Sequence, residues 1–263
     1  MRRVSLCVLA CAMLAPVAAA QLTLTSDQRA VLLEAAGANQ TAFPPGAFAP
    51  FVVDINLNVP SGGGSGKSHA TQTSTVSAGA MSASGASSAE SQAGPANCVL
   101  SQATSDFRLA FTVPTPVQYT MEGSVDGAQF RLAETVGGAV HLVQAAAGAP
   151  TPYSFTGVLK PGRQYLLLAQ SSQLANACDG ALFSLAGSYS LEASFAALAP
   201  CPGDLNFDRV VNDEDFVIFL AAYNVLLCPA APLPCDADLN QDGVVNDEDF
   251  VIFLAGYNVL LCP

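Results

Sequence analysis

The chain contains no tryptophan, and it has only nine basic residues against 21 acidic ones in 263 residues. The absence of tryptophan removes the usual ring on which a protein stacks a sugar, and it leaves Tyr119, Tyr153 and Tyr165 as the candidate substitutes. The net charge of −12 repels phosphate backbones and argues against a nucleic-acid partner.

Motifs that would indicate catalysis or zinc binding are also missing. No serine or cysteine lies in a nucleophile motif, and the cysteines lack the paired spacing of a zinc site. The ten acidic residues between positions 21 and 200 are dispersed, whereas a glycosidase needs two that face each other across a cleft. We therefore expect a non-catalytic protein.

The first 20 residues have the pattern of a signal peptide. Arg2 and Arg3 precede an apolar stretch over residues 4–17, and Ala18–Ala20 form a small-residue cleavage site. No later apolar run approaches the 20 residues that a membrane span needs. We predict cleavage after Ala20, no membrane span, and a secreted protein that is extracellular or held at the cell surface.

Residues 21–197 have the pattern of an antiparallel β-sandwich or jelly roll, because short strand-like runs alternate with turn residues. A short helix capped by Ser26 is expected within residues 22–37. The predicted strands are Phe51–Val59, Arg108–Val113, Val117–Val125, Ala128–Glu134, Ala139–Ala146, Tyr153–Leu159, Tyr165–Gln170 and Phe183–Ala197.

Residues 61–97 are rich in glycine, serine, alanine and threonine, and two interpretations compete. They form either a flexible linker or edge strands with small side chains. The alternation favours strands from Ser68 to Ser84 with a mobile tip at Ser61–Gly66. Residues 198–200 are the predicted linker to a second domain.

That second domain, residues 201–263, contains two nearly identical segments. Residues 204–229 (the first repeat) recur 34 positions later as residues 238–263 (the second repeat), with differences only at Phe207/Gln241, Arg209/Gly243 and Ala222/Gly256. Each repeat has a 12-residue acidic loop that leads directly into an apolar helix.

The loops have the oxygen spacing of a calcium site, because calcium binds six to eight oxygens, usually from loop positions 1, 3, 5, 7, 9 and 12. An acidic turn that complements a helix N-terminus is the alternative, but such a turn would not need the same spacing twice. We expect two calcium ions. The predicted ligands are Asp204, Asn206, Asp208, the Val210 carbonyl, Asn212 and Asp215 in the first loop, and Asp238, Asn240, Asp242, the Val244 carbonyl, Asn246 and Asp249 in the second.

Two further expectations concern the loop backbone. Position 6 needs a sharp turn that glycine adopts most easily. The second loop has Gly243 there and the first has Arg209, so the first site is predicted to be weaker. At position 8, Val211 and Val245 are expected to pair the two loops in a short ladder.

A loop followed by one helix, without the helix that precedes an EF-hand loop, resembles a dockerin repeat. The Cys201-Pro202 and Cys262-Pro263 pairs resemble more specifically the GC-type dockerins of secreted bacterial proteins. The resemblance covers residues 201–263. It implies two antiparallel helices related by a pseudo-twofold axis, two calcium ions, and docking onto a cohesin-type receptor.

In dockerins, loop positions 10 and 11 commonly contact the receptor. The better-known cellulosomal dockerins carry hydroxyl residues there, whereas this chain carries acids. The corresponding residues here are Asp213 and Glu214 in the first repeat, and Asp247 and Glu248 in the second.

The six cysteines after the signal peptide predict three disulfides, and the sequence alone permits 15 pairings. The antiparallel arrangement that the resemblance implies places the end of each helix beside the start of the other loop. It favours Cys201–Cys262 and Cys228–Cys235, which leaves Cys98–Cys178 for the first domain.

Both predicted helices are apolar on two faces. One face is suited to a small core and comprises Phe216, Phe219, Leu220 and Tyr223 with their counterparts in the second repeat. The other includes Val217, Ile218, Val251 and Ile252, which we predict to contact a protein partner. The alternative is that this face packs against the chain's own β-domain.

The sequence thus indicates a secreted protein in which a calcium-binding dockerin anchors a β-sandwich to a cohesin-type receptor. Two alternatives remain open. The first is a carbohydrate-binding or hydrolase-associated accessory of polysaccharide breakdown, with an extracellular polysaccharide as a second partner. The other is a structural surface protein in which the repeats only stiffen the C-terminus.

Overall fold

The structure is a computed structural model, and it describes residues 22–135, 140–199, 201–228, 235–259 and 261–262. The predicted signal peptide and its cleavage site lie outside these residues. None of the helices within the described ranges has the length and apolar character needed to cross a membrane.

Strands dominate the first domain, and two short helices follow in the second. The strands are β1 (Thr23–Asp27), β2 (Ala30–Ala35), β3 (Ala38–Ala42), β4 (Phe51–Ser61), β5 (Gly64–Val76), β6 (Ala80–Gln92), β7 (Cys98–Thr112), β8 (Val117–Asp126), β9 (Ala128–Glu134), β10 (Val140–Ala147), β11 (Thr151–Leu159), β12 (Gln164–Cys178) and β13 (Leu182–Ala197). The helices are α1 (Asp213–Tyr223) and α2 (Asp247–Tyr257).

The strands form two antiparallel sheets, which confirms the predicted β-sandwich. One sheet has the order β10-β9-β12-β7-β2-β3, with β1 also paired to β7, and the other has the order β11-β8-β13-β6-β5-β4. Alternate side chains of strands such as β7, β8 and β12 point between the sheets, and Phe107, Phe111, Met121, Leu132 and Leu191 lie fully buried there.

The prediction of a short helix within residues 22–37 is wrong. The segment forms β1 and β2, because Val31, Leu33 and Ala35 alternate into the sandwich while Leu32 is 41% exposed. Tertiary burial at a period of two residues outweighs the local helical signal. The buried Arg29 fixes the bend between the two strands through an ion pair with Asp27 at 2.6 Å.

The serine- and glycine-rich region forms strands, and not the flexible linker that was the other interpretation. β5 and β6 are 13 residues each, and the proposed mobile tip is a two-residue turn at Gly62 and Gly63, both with positive φ. Small side chains are required where the sheets approach closely. A Cβ on Gly85 would overlap Ser105 and Tyr189.

The C-terminal module (residues 201–263, of which 201–228, 235–259 and 261–262 are described) packs α1 and α2 around a small apolar core. Phe219 and Phe253 are buried, and their rings lie 5.3 Å apart. Leu220, predicted to belong to this core, is instead 40% exposed.

The described residues contain three disulfides, and they are the pairs that the sequence analysis favours. Cys98–Cys178 joins the paired ends of β7 and β12. Cys201–Cys262 and Cys228–Cys235 join the start of each loop to the end of the other repeat. Disulfides are typical of oxidising compartments, such as the outside of the cell.

Candidate metal centre

The first acidic loop folds around its own side-chain oxygens. Asp204 accepts hydrogen bonds from the backbone N–H of Asp208 at 3.1 Å and of Arg209 at 3.0 Å. Asn206 Oδ1 accepts from Asp208 N at 2.8 Å, and Asp208 Oδ1 accepts from Val210 N at 2.8 Å. These bonds turn the chain so that ligand positions 1, 3 and 5 face a common centre.

The second loop repeats this geometry closely. Asp242 N donates to Asp238 Oδ1 at 3.1 Å and to Asn240 Oδ1 at 3.0 Å. Gly243 N donates to Asp238 Oδ2 at 2.8 Å, and Val244 N donates to Asp242 Oδ1 at 2.9 Å. The backbone therefore adopts one loop structure twice.

The position-12 carboxylates, Asp215 and Asp249, are fully buried and close each loop. Asp215 Oδ1 accepts from Leu205 N at 2.7 Å and from Asn206 N at 2.9 Å, and its Oδ2 accepts from Asn212 N at 3.0 Å. Because Asn212 in turn caps α1 through Glu214 N, the loop and the helix start are locked together.

The donor set fits a hard cation. Carboxylate oxygens of Asp204, Asp208 and Asp215 lie within 4.8 Å of one another. Burial raises the pKa of Asp204, an effect opposed by its backbone hydrogen bonds and strengthened by the nearby charge of Asp215. A divalent cation would relieve this crowding of negative charge, and calcium is the common biological cation that prefers such oxygens.

The position-6 residues have the left-handed backbone that the sequence predicts, with φ of +75° at Arg209 and +91° at Gly243. The expected ladder between Val211 and Val245 is not formed. Instead, Val210 pairs with Leu261 and Val244 pairs with Leu227, so each loop pairs with the end of the other repeat. The end of each helix lies beside the start of the other, so the two loops lie at opposite ends of the helix pair.

The predicted partner-binding residues lie on the exposed side of the helices. Val217 is 65% exposed and Val251 is 66% exposed, and Ile218 and Ile252 are partly exposed beside them. This excludes the alternative in which the sandwich covers that face.

The acidic residues beside this face have partners that the sequence did not reveal. Asp213 accepts a hydrogen bond from Tyr257 at 2.6 Å, and Asp247 accepts one from Tyr223 at 2.5 Å. Each bond joins the start of one helix to the end of the other. The 34-residue spacing of the repeats is the only signal in the sequence that could have suggested this symmetric exchange.

The sandwich contacts the module through the turn between β11 and β12. Arg163 donates to Glu134 at 2.7 Å within the sandwich and to Asp236 at 2.8 Å in the module. Lys160 Nζ lies 4.6 Å from the centre of the Phe207 ring. We name these two pairs of residues, Lys160–Phe207 and Arg163–Asp236, the interdomain contact; sequence reasoning missed it because it depends on domain packing.

The sandwich offers less for a sugar than the sequence suggested. Tyr119, Tyr153 and Tyr165 are buried in its core, so none of them is a surface stacking platform. Glu122 and Glu192 are directly cross-strand neighbours in one sheet, a placement that differs from two acids facing each other across a cleft.

Comparison with known proteins yields little. No family model matches the chain, and no curated protein matches it. Among solved structures, it is similar to a GH31 alpha-xylosidase from Xanthomonas citri, with 10% identity over 79% of this chain and 42% of that chain. The chain thus spans less than half of that enzyme, and the TM-score of 0.20 is too low to support an argument about fold or activity.

Proposed function

We propose that residues 201–263 form a dockerin that binds two calcium ions and attaches the β-sandwich to a cohesin-type receptor outside the cell. The observation that carries the proposal is the loop geometry. It occurs twice, and in both loops equivalent backbone N–H groups donate hydrogen bonds to equivalent aspartate oxygens. A turn that served only to start a helix would need neither the spacing nor the repetition.

Calcium in these loops would supply positive charge and structural order. The side chains of Asp204, Asn206, Asp208 and Asp215 would hold the first ion, together with the Val210 carbonyl and Asn212, and the corresponding residues of the second repeat would hold the other. Metal binding of this kind is coupled to folding, because the carboxylates repel one another until a cation joins them.

The receptor would bind the exposed apolar face of the helices. Val217 and Val251 supply this face, and it is flanked by Glu214 and Glu248 at the helix starts. Exposed apolar side chains rimmed by charged residues are typical of protein-binding surfaces.

Calorimetry of the full chain with calcium chloride, after treatment with chelator, tests the metal sites. We expect two bound ions in the wild type. Asp215→Asn and Asp249→Asn should each weaken one site at least about tenfold, since each replaces a buried acceptor oxygen with a donor that opposes backbone N–H groups. Asp126→Asn, on the sandwich, carries the same charge change and should leave both sites intact.

Capture of a cohesin-type protein on the immobilised chain, first in calcium and then in chelator, tests docking. Binding that is lost in chelator supports the dockerin. Two bound ions without any capture would instead favour the structural alternative, in which the repeats only stiffen the C-terminus, and an absence of calcium binding would refute the proposal.

A further inference from the structure

The two repeats differ at three positions. At two of them, the residue of the first repeat contacts either the sandwich or the short segment that connects the sandwich to the module. Phe207, at loop position 4, lies beneath Lys160 of the β11–β12 turn. Arg209 Nη1 donates to the carbonyl of Ala199 at 3.5 Å. Gln241 and Gly243 occupy these positions in the second repeat.

The third difference, Ala222 in the first repeat and Gly256 in the second, also lies where the two repeats have different surroundings. Gly256 lies against the chain entering the module, and a Cβ there would overlap the carbonyl oxygen of Pro202. Its counterpart Ala222 packs against the module core instead. The repeats therefore differ where one of them meets the first domain or the chain leading from it, and they are identical at every metal ligand.

The sandwich side of the interdomain contact is held in place by contacts within the sandwich itself. The buried Tyr165 hydroxyl accepts a hydrogen bond from Lys160 N at 2.7 Å and donates one to Lys160 O at 3.0 Å. Glu134 holds the Arg163 guanidinium from within the sandwich. Both cations are thus held on the same turn, where Lys160 faces the Phe207 ring and Arg163 faces Asp236.

The module side depends on the first loop. Phe207 stands between ligand positions 3 and 5 and has a left-handed backbone with φ of +67°. The direction of its ring is therefore set by the same loop conformation that gathers the ligands Asn206 and Asp208. A loop that is not ordered cannot present the ring to Lys160.

We propose that the β-sandwich is a resident docking partner of the calcium loops, and that the Lys160–Phe207 contact couples its docking to calcium occupancy of the first loop. This inference rests on the calcium sites proposed above. Because coupling between two binding events is reciprocal, calcium favours the Lys160–Phe207 contact, and this contact strengthens calcium binding at the first loop but not at the second.

The test is a calcium titration of the full chain followed by NMR, in which the amide signals of Arg209 and Gly243 report the two loops separately. Phe207→Gln installs the residue that the second loop carries at φ of +64°, so the loop conformation is retained and no charge changes. We expect calcium affinity at the first loop to fall about threefold to tenfold, with the second loop unchanged. Gln241→Phe is the matched control and should leave the first loop unchanged.

X-ray scattering supplies a readout that does not depend on affinity. In calcium, the wild type should be more compact than Phe207→Gln, and in chelator the two should have the same radius of gyration. Equal first-loop affinity in wild type and Phe207→Gln, with both ions bound, would overturn the coupling and leave the calcium sites standing. An absence of calcium binding in the wild type would overturn both proposals.

Discussion

At the level of single residues, loop position 6 separates two sites that are otherwise built alike. Arg209 and Gly243 share a left-handed backbone, and a Cβ at Gly243 would meet nothing within 4 Å. Space is therefore not what favours glycine here. The cost of arginine comes from the backbone conformation itself, and it amounts to about 1 kcal/mol.

We predict that Arg209→Gly raises calcium affinity at the first site about fivefold, because the relief of backbone strain is gained when the loop folds around the ion. Among the contacts of Arg209, the hydrogen bond to Ala199 O is long, at 3.5 Å, and its loss costs little. The NMR calcium titration measures the change. Gly243→Arg should weaken the second site by a similar factor, and unchanged affinity in both variants would show that strain at position 6 is not decisive.

The proposed ligands could be predicted from the sequence because a calcium loop places each of them at a fixed position along the chain. The contacts between distant segments could not. The bond from Tyr257 to Asp213 depends on how the two helices pack, and the position of Lys160 over Phe207 depends on how two domains meet. Neither geometry has a local signature.

At the level of elements, most strands with large alternating side chains were predicted, with the exception of β2, whereas the strands built from small side chains were predicted only in part, over Ser68–Ser84. In β6, Ser87 and Ser91 point inward and bond to Ser171 and Ser101 of the facing sheet. Paired hydroxyls satisfy one another where the sheets lie close. The composition of this segment is therefore that of a flexible linker, although the segment forms a strand whose alternate side chains are buried in the sandwich.

The two disulfides of the module should contribute unequally to its stability. Cys201–Cys262 closes 61 residues and Cys228–Cys235 closes 7, so loop entropy predicts about 4 and about 2 kcal/mol respectively. Replacing each pair with serines and measuring thermal unfolding of the full chain in calcium tests this order. A larger loss from the short disulfide would contradict chain entropy as the source of this order.

Substitutions on the exposed helix face should affect docking without affecting metal binding. Val217→Asp combined with Val251→Asp should abolish capture of the receptor while calcium affinity stays within about twofold and stability within about 0.5 kcal/mol, since both side chains are exposed. Capture assays and calorimetry on the same protein measure both quantities. Val52→Asp, 77% exposed on β4, is the control and should bind receptor normally. Parallel loss of calcium binding would contradict a separate docking face.

At the level of the whole molecule, the two domains are stabilised by different chemistry. The module depends on carboxylates, disulfides and the proposed ions, whereas the sandwich buries phenol rings. Burial raises the pKa of the hydroxyls of Tyr119, Tyr153 and Tyr189, and it raises the pKa of Tyr165 to about 12. Alkaline pH should therefore act first on the sandwich core.

We predict that the free energy of unfolding falls as pH rises above about 10. There the tyrosines of the unfolded chain lose their protons while the buried ones keep theirs, so the unfolded state binds fewer protons and is favoured increasingly. Each such tyrosine contributes at most about 1.4 kcal/mol per pH unit. Urea unfolding between pH 9 and 11, with phenolate absorbance as a second probe, measures the slope.

Tyr165→Phe provides the control for this dependence. It removes one of these hydroxyls, so its stability should fall less steeply with pH than that of the wild type. It also frees the Lys160 backbone groups that the hydroxyl binds, which should lower stability by about 1–2 kcal/mol at pH 7. If the unfolding free energy stays constant through pH 11, the tyrosines have the same pKa in the folded and unfolded states. Burial would then not be what keeps them neutral.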